Sequence, residues 1–328
     1  MKFSKIIFAV LLFSAVIGCK KDEDTTTTPT LDGYLYISGK LPEYVTGGHT
    51  VTLRPKGLSH PKGKEITYTW SVSPSAPTSR TTEEFTFTFS DTLQTCTIYC
   101  TASAEGYTSS SAAKYATVVR GGKDGSIQGL DFSAASSFST SDTTTYYYAT
   151  IGNQTWMLNN VAEGPSGKSY SDAEAMSNVF GRYYSYPEAI AICKSLSRKS
   201  EMNWKLPSLE DWKELEAYIK EQPDYGKSVV SALMGDARFN KETMWEYWPA
   251  VGDITNATGF SAMPVGYANT QTSLFDGKNE YAIFWTETEA DRATEAKAVY
   301  LICNQPDLYT GHLDRESFGA SVRCIIEN

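Results

Sequence analysis

The sequence predicts an all-β sandwich followed by an α+β domain, and three observations carry that expectation. Residues 31–120 alternate apolar and polar side chains in short runs divided by turn residues, the period-two signature of half-buried strands. Aromatic residues make up 13% of the chain, and together with the β-branched residues they favour a pleated framework. Apolar residues at helical spacing are confined to short stretches of the second half, so helices there decorate a sheet.

The chain opens with Met1-Lys2-Phe3-Ser4-Lys5, runs apolar from Ile6 to Ile17, and stops at Gly18-Cys19. A basic start, a short apolar stretch and a small-residue stop make residues 1–18 a secretory leader. A bilayer needs roughly 20 apolar residues, so a spanning helix is the weaker reading. Ala15-Val16-Ile17-Gly18-Cys19 resembles a lipoprotein signal, which implies that Cys19 becomes the acylated first residue of the mature chain; the plainer reading is an ordinary leader with a chance cysteine. Lys20-Lys21-Asp22-Glu23-Asp24 resembles the export signal that sends Bacteroidota lipoproteins to the outer face of the outer membrane, although a solvated charge run looks the same. Residues 19–30, ending in a Thr-rich stretch with Pro29, form a polar tether that lacks the apolar surface to fold. The expected location is the outer membrane, lipid-anchored and exposed on the cell surface.

At 328 residues the chain is long enough for two domains. Its net charge of −9 and scattered basic residues remove the footprint that nucleic-acid binding needs. Neutral partners, glycans or extracellular proteins, are expected instead. Six cysteines are present, and setting aside Cys19 leaves an odd number in an oxidising compartment. Cys96 and Cys100, if they share one strand, sit about 13 Å apart and cannot bridge each other. His49, His60 and His312 are isolated, and no CxxC pair exists, so no metal site is expected.

In the first domain, residues 31–120, strands are expected at Tyr34–Ile37, Thr50–Leu53, Ile66–Val72, Phe85–Phe89, Cys96–Cys100 and Ala116–Val119. Short strands at this spacing favour a sandwich. The order resembles bacterial immunoglobulin-like and PKD-like domains, which implies Trp70 as the residue packed between the sheets. Thr50–Leu53 offers no cysteine for an inter-sheet disulfide, so Cys96 and Cys100 read as small buried apolar residues. A spacer is the expected role. Residues 121–145, rich in Gly, Ser and Thr, read as a linker with an edge strand around Ile127–Phe132.

In the second domain, residues 146–328, Ala189, Ile190, Cys193 and Leu196 recur at helical spacing after Pro187. Ser208 precedes Leu209-Glu210-Asp211 as a helix cap, and that helix would bury Trp212, Leu215 and Ile219. Phe284–Thr286 and Val299–Cys303 are apolar enough for core strands, and Ser321–Ile326 closes the domain. Six segments appear in a fixed order: Ile151–Met157, Gly181–Ala189, Trp204–Trp212, Gly259–Tyr267, Phe284–Glu289 and Gly319–Cys324. Together they resemble the Fibrobacter succinogenes major paralogous domain family (FISUMP), over nearly the whole C-terminal half. The resemblance implies a C-type-lectin-like or formylglycine-generating-enzyme-like architecture. It also implies a disulfide between Cys193 on the first helix and Cys324 by the last strand, worth about 3–5 kcal/mol by loop entropy. A Cys303–Cys324 pairing across neighbouring strands competes with it.

No catalytic motif or cofactor fingerprint is found, and the expectation is a protein that is not an enzyme and carries no cofactor. Gln305-Pro306-Asp307 matches a calcium and sugar tripeptide of galactose-type lectins, but the later residues that complete the shell are missing, and Gln222-Pro223-Asp224 repeats the tripeptide. Glu287, Glu289 and Asp291 suggest an acid-base or cation site; the plainer reading is a polar loop. Exposed aromatics are the better candidates for ligand contact, because tyrosine and tryptophan faces stack on sugars and anchor interfaces. Trp245, Tyr247, Trp248, Tyr267 and Tyr309 are those candidates, against the alternative of ordinary core packing. The function expected is a surface binding or adhesion module for a glycan or protein, with a structural subunit of a surface complex as the alternative.

Overall fold

A computed structural model of the chain describes residues 27–74, 80–140, 144–226, 228–246 and 253–326. The leader, Cys19, Tyr247 and Trp248 lie outside the described residues. The fold is mostly β-sheet with few helices, and among the described residues no helix is long and apolar enough to cross a membrane.

In chain order the first half runs β1 (Asp32–Ser38), β2 (Tyr44–Val45), β3 (Thr50–Ser59), β4 (Thr67–Ser73), β5 (Arg80–Thr81), β6 (Phe85–Thr88), β7 (Thr95–Ser103) and β8 (Ser110–Val118). Pairing orders them β1-β3-β6 in one sheet and β2-β8-β7-β4-β5 in the other, with β2 parallel to β8. Alternation decides which residues enter the core: Cys96, Ile98, Cys100 and Ala102 are buried along β7, while the residues between them face outward. Trp70 is fully buried, stacks on Phe85 at 5.1 Å, and donates its indole N–H to the Thr82 carbonyl at 2.9 Å. The core therefore takes a large ring without stranding its polar atom. Cys96 and Cys100 are free and buried, and burial pushes the Cys100 thiol up to about 11, so it stays an unreactive apolar filler.

The second half carries β9 (Ser136–Ser139), β10 (Thr145–Ile151), β11 (Gln154–Met157), helix α1 (Tyr186–Ser200), β12 (Trp204–Lys205), helix α2 (Leu209–Glu221) and the short α3 (Val229–Leu233). It continues with β13 (Tyr267–Asn269), β14 (Tyr281–Glu289), β15 (Glu295–Ile302), β16 (Tyr309–Asp314), β17 (Phe318–Gly319) and β18 (Ile325–Ile326). One sheet is ordered β9-β10-β11-β18-β12 and another β14-β15-β16. The cap read from sequence at Ser208 is present, with Ser208 and Asp211 exchanging hydrogen bonds, and α1 starts from a second capping box in which the Glu188 carboxylate accepts from the Ser185 N–H at 2.8 Å. Trp212, Leu215 and Ile219 are the buried face of α2.

The β14–β15 pair is buried on both sides. Phe284, Val299 and Leu301 join a core with α2 and α3, whereas Ile283, Trp285 and Ala298 join a second core with α1. Residues 121–145, read from sequence as a linker, supply β9 to the main sheet, and Ile127–Gln128 pairs with Arg238–Phe239. The cause lies in scattered aromatics within that polar passage: Phe132 stacks on Tyr147 at 4.6 Å, and Phe138 on Trp204 at 5.7 Å. The halves meet through Tyr44, whose ring contacts Tyr170 at 6.0 Å and Phe239 at 6.1 Å.

Two features close the second half. Cys193 on α1 is bonded to Cys324 just before β18, with Cα atoms 6.1 Å apart across 131 positions of sequence; Cys303 is buried and takes no part in that bond. Beside it, Arg323 is fully buried, and among the described residues no carboxylate is one of its hydrogen-bond partners. Its guanidinium donates to Asn160 Oδ1 at 2.9 Å, to the Ser261 carbonyl at 2.8 Å and to the Phe260 carbonyl, and lies 4.6 Å from the Phe260 ring centre. Burial lowers its pKa to about 9, so it remains a cation at neutral pH.

Replacing both bridging cysteines, C193A/C324A, is expected to lower the melting temperature by about 5–15 °C, since removing a native disulfide costs about 2–5 kcal/mol. An unchanged melting curve under oxidising conditions would refute a stabilising bridge. Arg323→Met keeps most of the volume but strands three buried acceptors, and is expected to cost about 3–5 kcal/mol in denaturant unfolding. Arg323→Lys, which cannot aim donors in all three directions, falls between. A loss below about 1 kcal/mol for the methionine variant would contradict the role assigned to the guanidinium.

Candidate functional site

Register places the candidate site on one face of β14, β15 and β16. Ile283 pairs with Tyr300, and Tyr300 with Tyr309, while Tyr281 pairs with Ile302 one step along. Residues directly opposite in an antiparallel pair point to the same side, so Tyr281, Tyr300 and Tyr309 share a face. The first two are half-buried and Tyr309 is 56% exposed. Tyr300 meets Tyr309 edge-on at 5.6 Å. Its ring lies over Gly311, where an added Cβ would stand 2.7 Å from a ring carbon. Glycine is required there by the close approach of ring to strand.

Tyr267 on β13 extends the patch. It stacks on Phe318 at 4.9 Å, and Phe318 in turn meets Trp285 edge-on at 6.2 Å, which ties the exposed rings to the core. Tyr267 and Tyr281 flank Gly277, whose φ of +68° suits a turn that β-carbon-bearing residues resist. A Cβ at Gly277 would stand 2.5 Å from the Tyr281 ring and 3.2 Å from that of Tyr267.

Electrostatics fix the protonation of the patch. Burial pushes the Tyr300 phenol up to about 12, helped by the neighbouring phenols of Tyr309, Tyr267 and Tyr281. Burial, then Asp276, raises Tyr267; burial, then Glu280, raises Tyr281. These three hydroxyls stay protonated at neutral pH; that of Tyr267 donates to Asp276 at 3.4 Å and that of Tyr281 to Glu280, which form an acidic rim to the patch. Ring faces flanked by phenol donors can stack on and hydrogen-bond a neutral polyhydroxyl ligand or a polar peptide.

Tyr267 and Tyr309, singled out from sequence, are thus brought together by Tyr281 and Tyr300, which the sequence reading treated only as parts of strands. The alternation Tyr281, Ile283, Trp285 was the available signal. Trp245 requires a correction. It is 3% exposed, packs in the core with Leu233 and Phe260, and donates its indole N–H to the Ala262 carbonyl at 3.2 Å, so its face is unavailable to a ligand. Tyr247 and Trp248 fall outside the described residues.

The other candidate motifs have structural partners. Pro306 accepts at its carbonyl from the Val230 N–H and the Ser228 hydroxyl, both at 3.1 Å, and Asp307 pairs with Lys220 at 3.2 Å. Glu287 lies 3.8 Å from Lys205, and Glu289 lies 3.4 Å from Arg315. Among the described residues no group of three or more His, Cys, Asp or Glu side chains gathers as metal ligands do.

Comparison with curated proteins returns no match, and comparison with solved structures returns none. The family described as the Fibrobacter succinogenes major domain matches residues 149–325, more than half of the chain, and that span holds α1, α2, the disulfide, Arg323 and the tyrosine face. The chain belongs to the Fibrobacter succinogenes major domain family.

Proposed function

We propose that this chain is a surface-exposed lipoprotein that acts as a non-catalytic binding module, holding a glycan or protein ligand on the tyrosine face. The observation that carries the reading is the convergence of Tyr267, Tyr281, Tyr300 and Tyr309, each reached by solvent and braced by glycine or aromatic contacts. Rings already held in place lose little freedom on binding, which is what a recognition surface needs.

In this reading Cys19 carries the acyl chains that hold the protein to the outer membrane, and residues 19–30 are the tether. Residues 31–120 act as an immunoglobulin-like or PKD-like spacer. The domain beyond them has the C-type-lectin-like or formylglycine-generating-enzyme-like architecture, a view supported by the bond from the first long helix to the residue before the last strand.

Binding is tested with the mature chain on a glycan array and in a pull-down against host extracellular proteins. A ligand found in either assay should be weakened about 3–10-fold by Tyr309→Ala, and more by Y300A/Y309A, at the magnitude expected for an aromatic contact. Silence in both assays would refute the binding reading. Anchoring is tested separately by metabolic labelling with a fatty-acid probe: the native protein should be labelled, and Cys19→Ala should be unlabelled and released from membranes. An unlabelled native protein with its leader intact would refute the lipoprotein reading.

A further inference from the structure

A second surface lies on the first domain, on residues separate from the tyrosine face. Opposite the Trp70 core, the outward side of β4, β7 and β8 carries only Ser, Thr, Tyr and Ala at every position along these strands. This is unusual in a chain that is 20% charged with a net charge of −9. Solvent-facing strand positions ordinarily include charged residues.

Two aromatic rings stand on that surface. Tyr99 is 42% exposed and Tyr115 is 61% exposed. Tyr99 is flanked across the strands by Ser71 and Ala113, and Tyr115 faces Thr97. Small neighbours leave both rings uncovered. Because Tyr99 pairs with Ala113, Tyr115 is its diagonal neighbour on the adjacent strand, about 7–8 Å away by sheet geometry. One row of hydroxyls lies beside the pair, Thr101 and Ser111, hydrogen-bonded to each other at 3.0 Å; on the other side Thr95 meets Thr117 at 3.0 Å, and there Thr117 is buried beside Tyr44, so the open face ends at Thr95. Unlike the tyrosine face, these rings have no acidic rim on their own strands.

We infer that the outward face of β4, β7 and β8 docks an uncharged, extended polysaccharide, with Tyr99 and Tyr115 stacking on successive sugar units and the flanking hydroxyls hydrogen-bonding the chain. The outward positions of these three strands carry no charged side chain, and that selects the ligand class. An acidic polysaccharide would meet no cation here, and a chain with net charge −9 repels it at longer range. A protein partner would bury this face at the cost of many hydroxyls and gain little aliphatic contact, since Leu, Ile, Val and Met are absent from it. Sugar rings offer an apolar face to each tyrosine and hydroxyls to the row beside them, so both halves of the surface are used. This inference stands independently of the tyrosine face on the second domain.

Affinity electrophoresis of the full mature chain through gels containing hydroxyethylcellulose, xyloglucan or galactomannan, with polygalacturonate as the acidic comparison, tests it. At least one neutral polymer should retard the protein and polygalacturonate should not. Tyr99→Ala and Tyr115→Ala should each raise the apparent dissociation constant about threefold or more, and Y99A/Y115A should abolish retardation. Thr97→Glu should weaken it with the rings intact. These side chains are exposed, so unchanged melting curves will verify that the variants fold. Y300A/Y309A should be retarded like the native protein, which separates this face from the other. The inference is overturned if no neutral polymer retards the chain, if Y99A/Y115A behaves as native, if polygalacturonate binds as well as the neutral polymers, or if retardation is lost only in Y300A/Y309A.

Discussion

The second domain is organised around a cation that water cannot reach. Burying an isolated guanidinium is costly, and proteins usually meet the cost with a carboxylate. Arg323 is met instead by two backbone carbonyls, one amide oxygen and the face of Phe260. Carbonyl dipoles and ring faces are fixed by the fold, so the cation is satisfied only when every segment around it is in place. Asn160 follows β11, while Phe260 and Ser261 belong to the loop before β13. Ser261 holds a φ of +58°, and Asn256 accepts its N–H at 2.9 Å to keep that turn. The neighbouring residue, Cys324, is bonded to α1. Two consecutive residues thus tie the end of the chain to the first helix, to the main sheet and to a long loop, which gives one cooperative closure from segments far apart in sequence.

That closure determines what β14–β16 can present. With α2 and α3 on one side and α1 on the other, the β14–β15 pair is buried on both sides, and its side chains reach solvent where a covering element ends. At the edge of this face the Tyr300 ring occupies the space a side chain at Gly311 would take, and the rings of Tyr281 and Tyr267 occupy the space beside Gly277. The tyrosine face is therefore the rim of a core, with its rings supported from below by Trp285 and Phe318.

Sequence patterns revealed the elements whose periodicity is strong and local. The cap at Ser208 and the spacing of Trp212, Leu215 and Ile219 define α2 without help from the rest of the chain, and the inward row of β7 follows from alternation alone. Strands of two residues, such as β12 and β18, are too short to leave a period, and their place is set by tertiary pairing. Residues 121–145 were read as a linker because polar composition masks a few decisive aromatics; Phe132 and Phe138 attach the segment to the sheet. The site shows the same limit. Trp245 and Tyr309 both stand in aromatic-bearing loops or edges, and nothing local separates them: the first is buried by what folds over it, and the second is exposed because β16 has a neighbour on one side only among the described strands. Tyr300 was hidden for the opposite reason, since a tyrosine within an apolar run reads as core until its register partners are known.

Taken together, the two proposed faces imply a mode of attachment that neither gives alone. A single patch of two to four tyrosines, each contributing about 0.5–1.5 kcal/mol beyond the area it buries, yields weak and rapidly reversible contact. The halves of the chain are joined through Tyr44, Tyr170 and Phe239 rather than by a loose linker, so the spacing between the faces is held by packing. Where the ligand of the tyrosine face is carried on the same matrix as a neutral polymer held by the first domain, the second contact would be made at high effective concentration, and affinity for the matrix would rise without any new interaction. If the proposed lipid anchor holds many copies on one membrane, the effect is multiplied further. Weak, aromatic recognition is then an advantage, because each contact can release and re-form while the array as a whole stays bound.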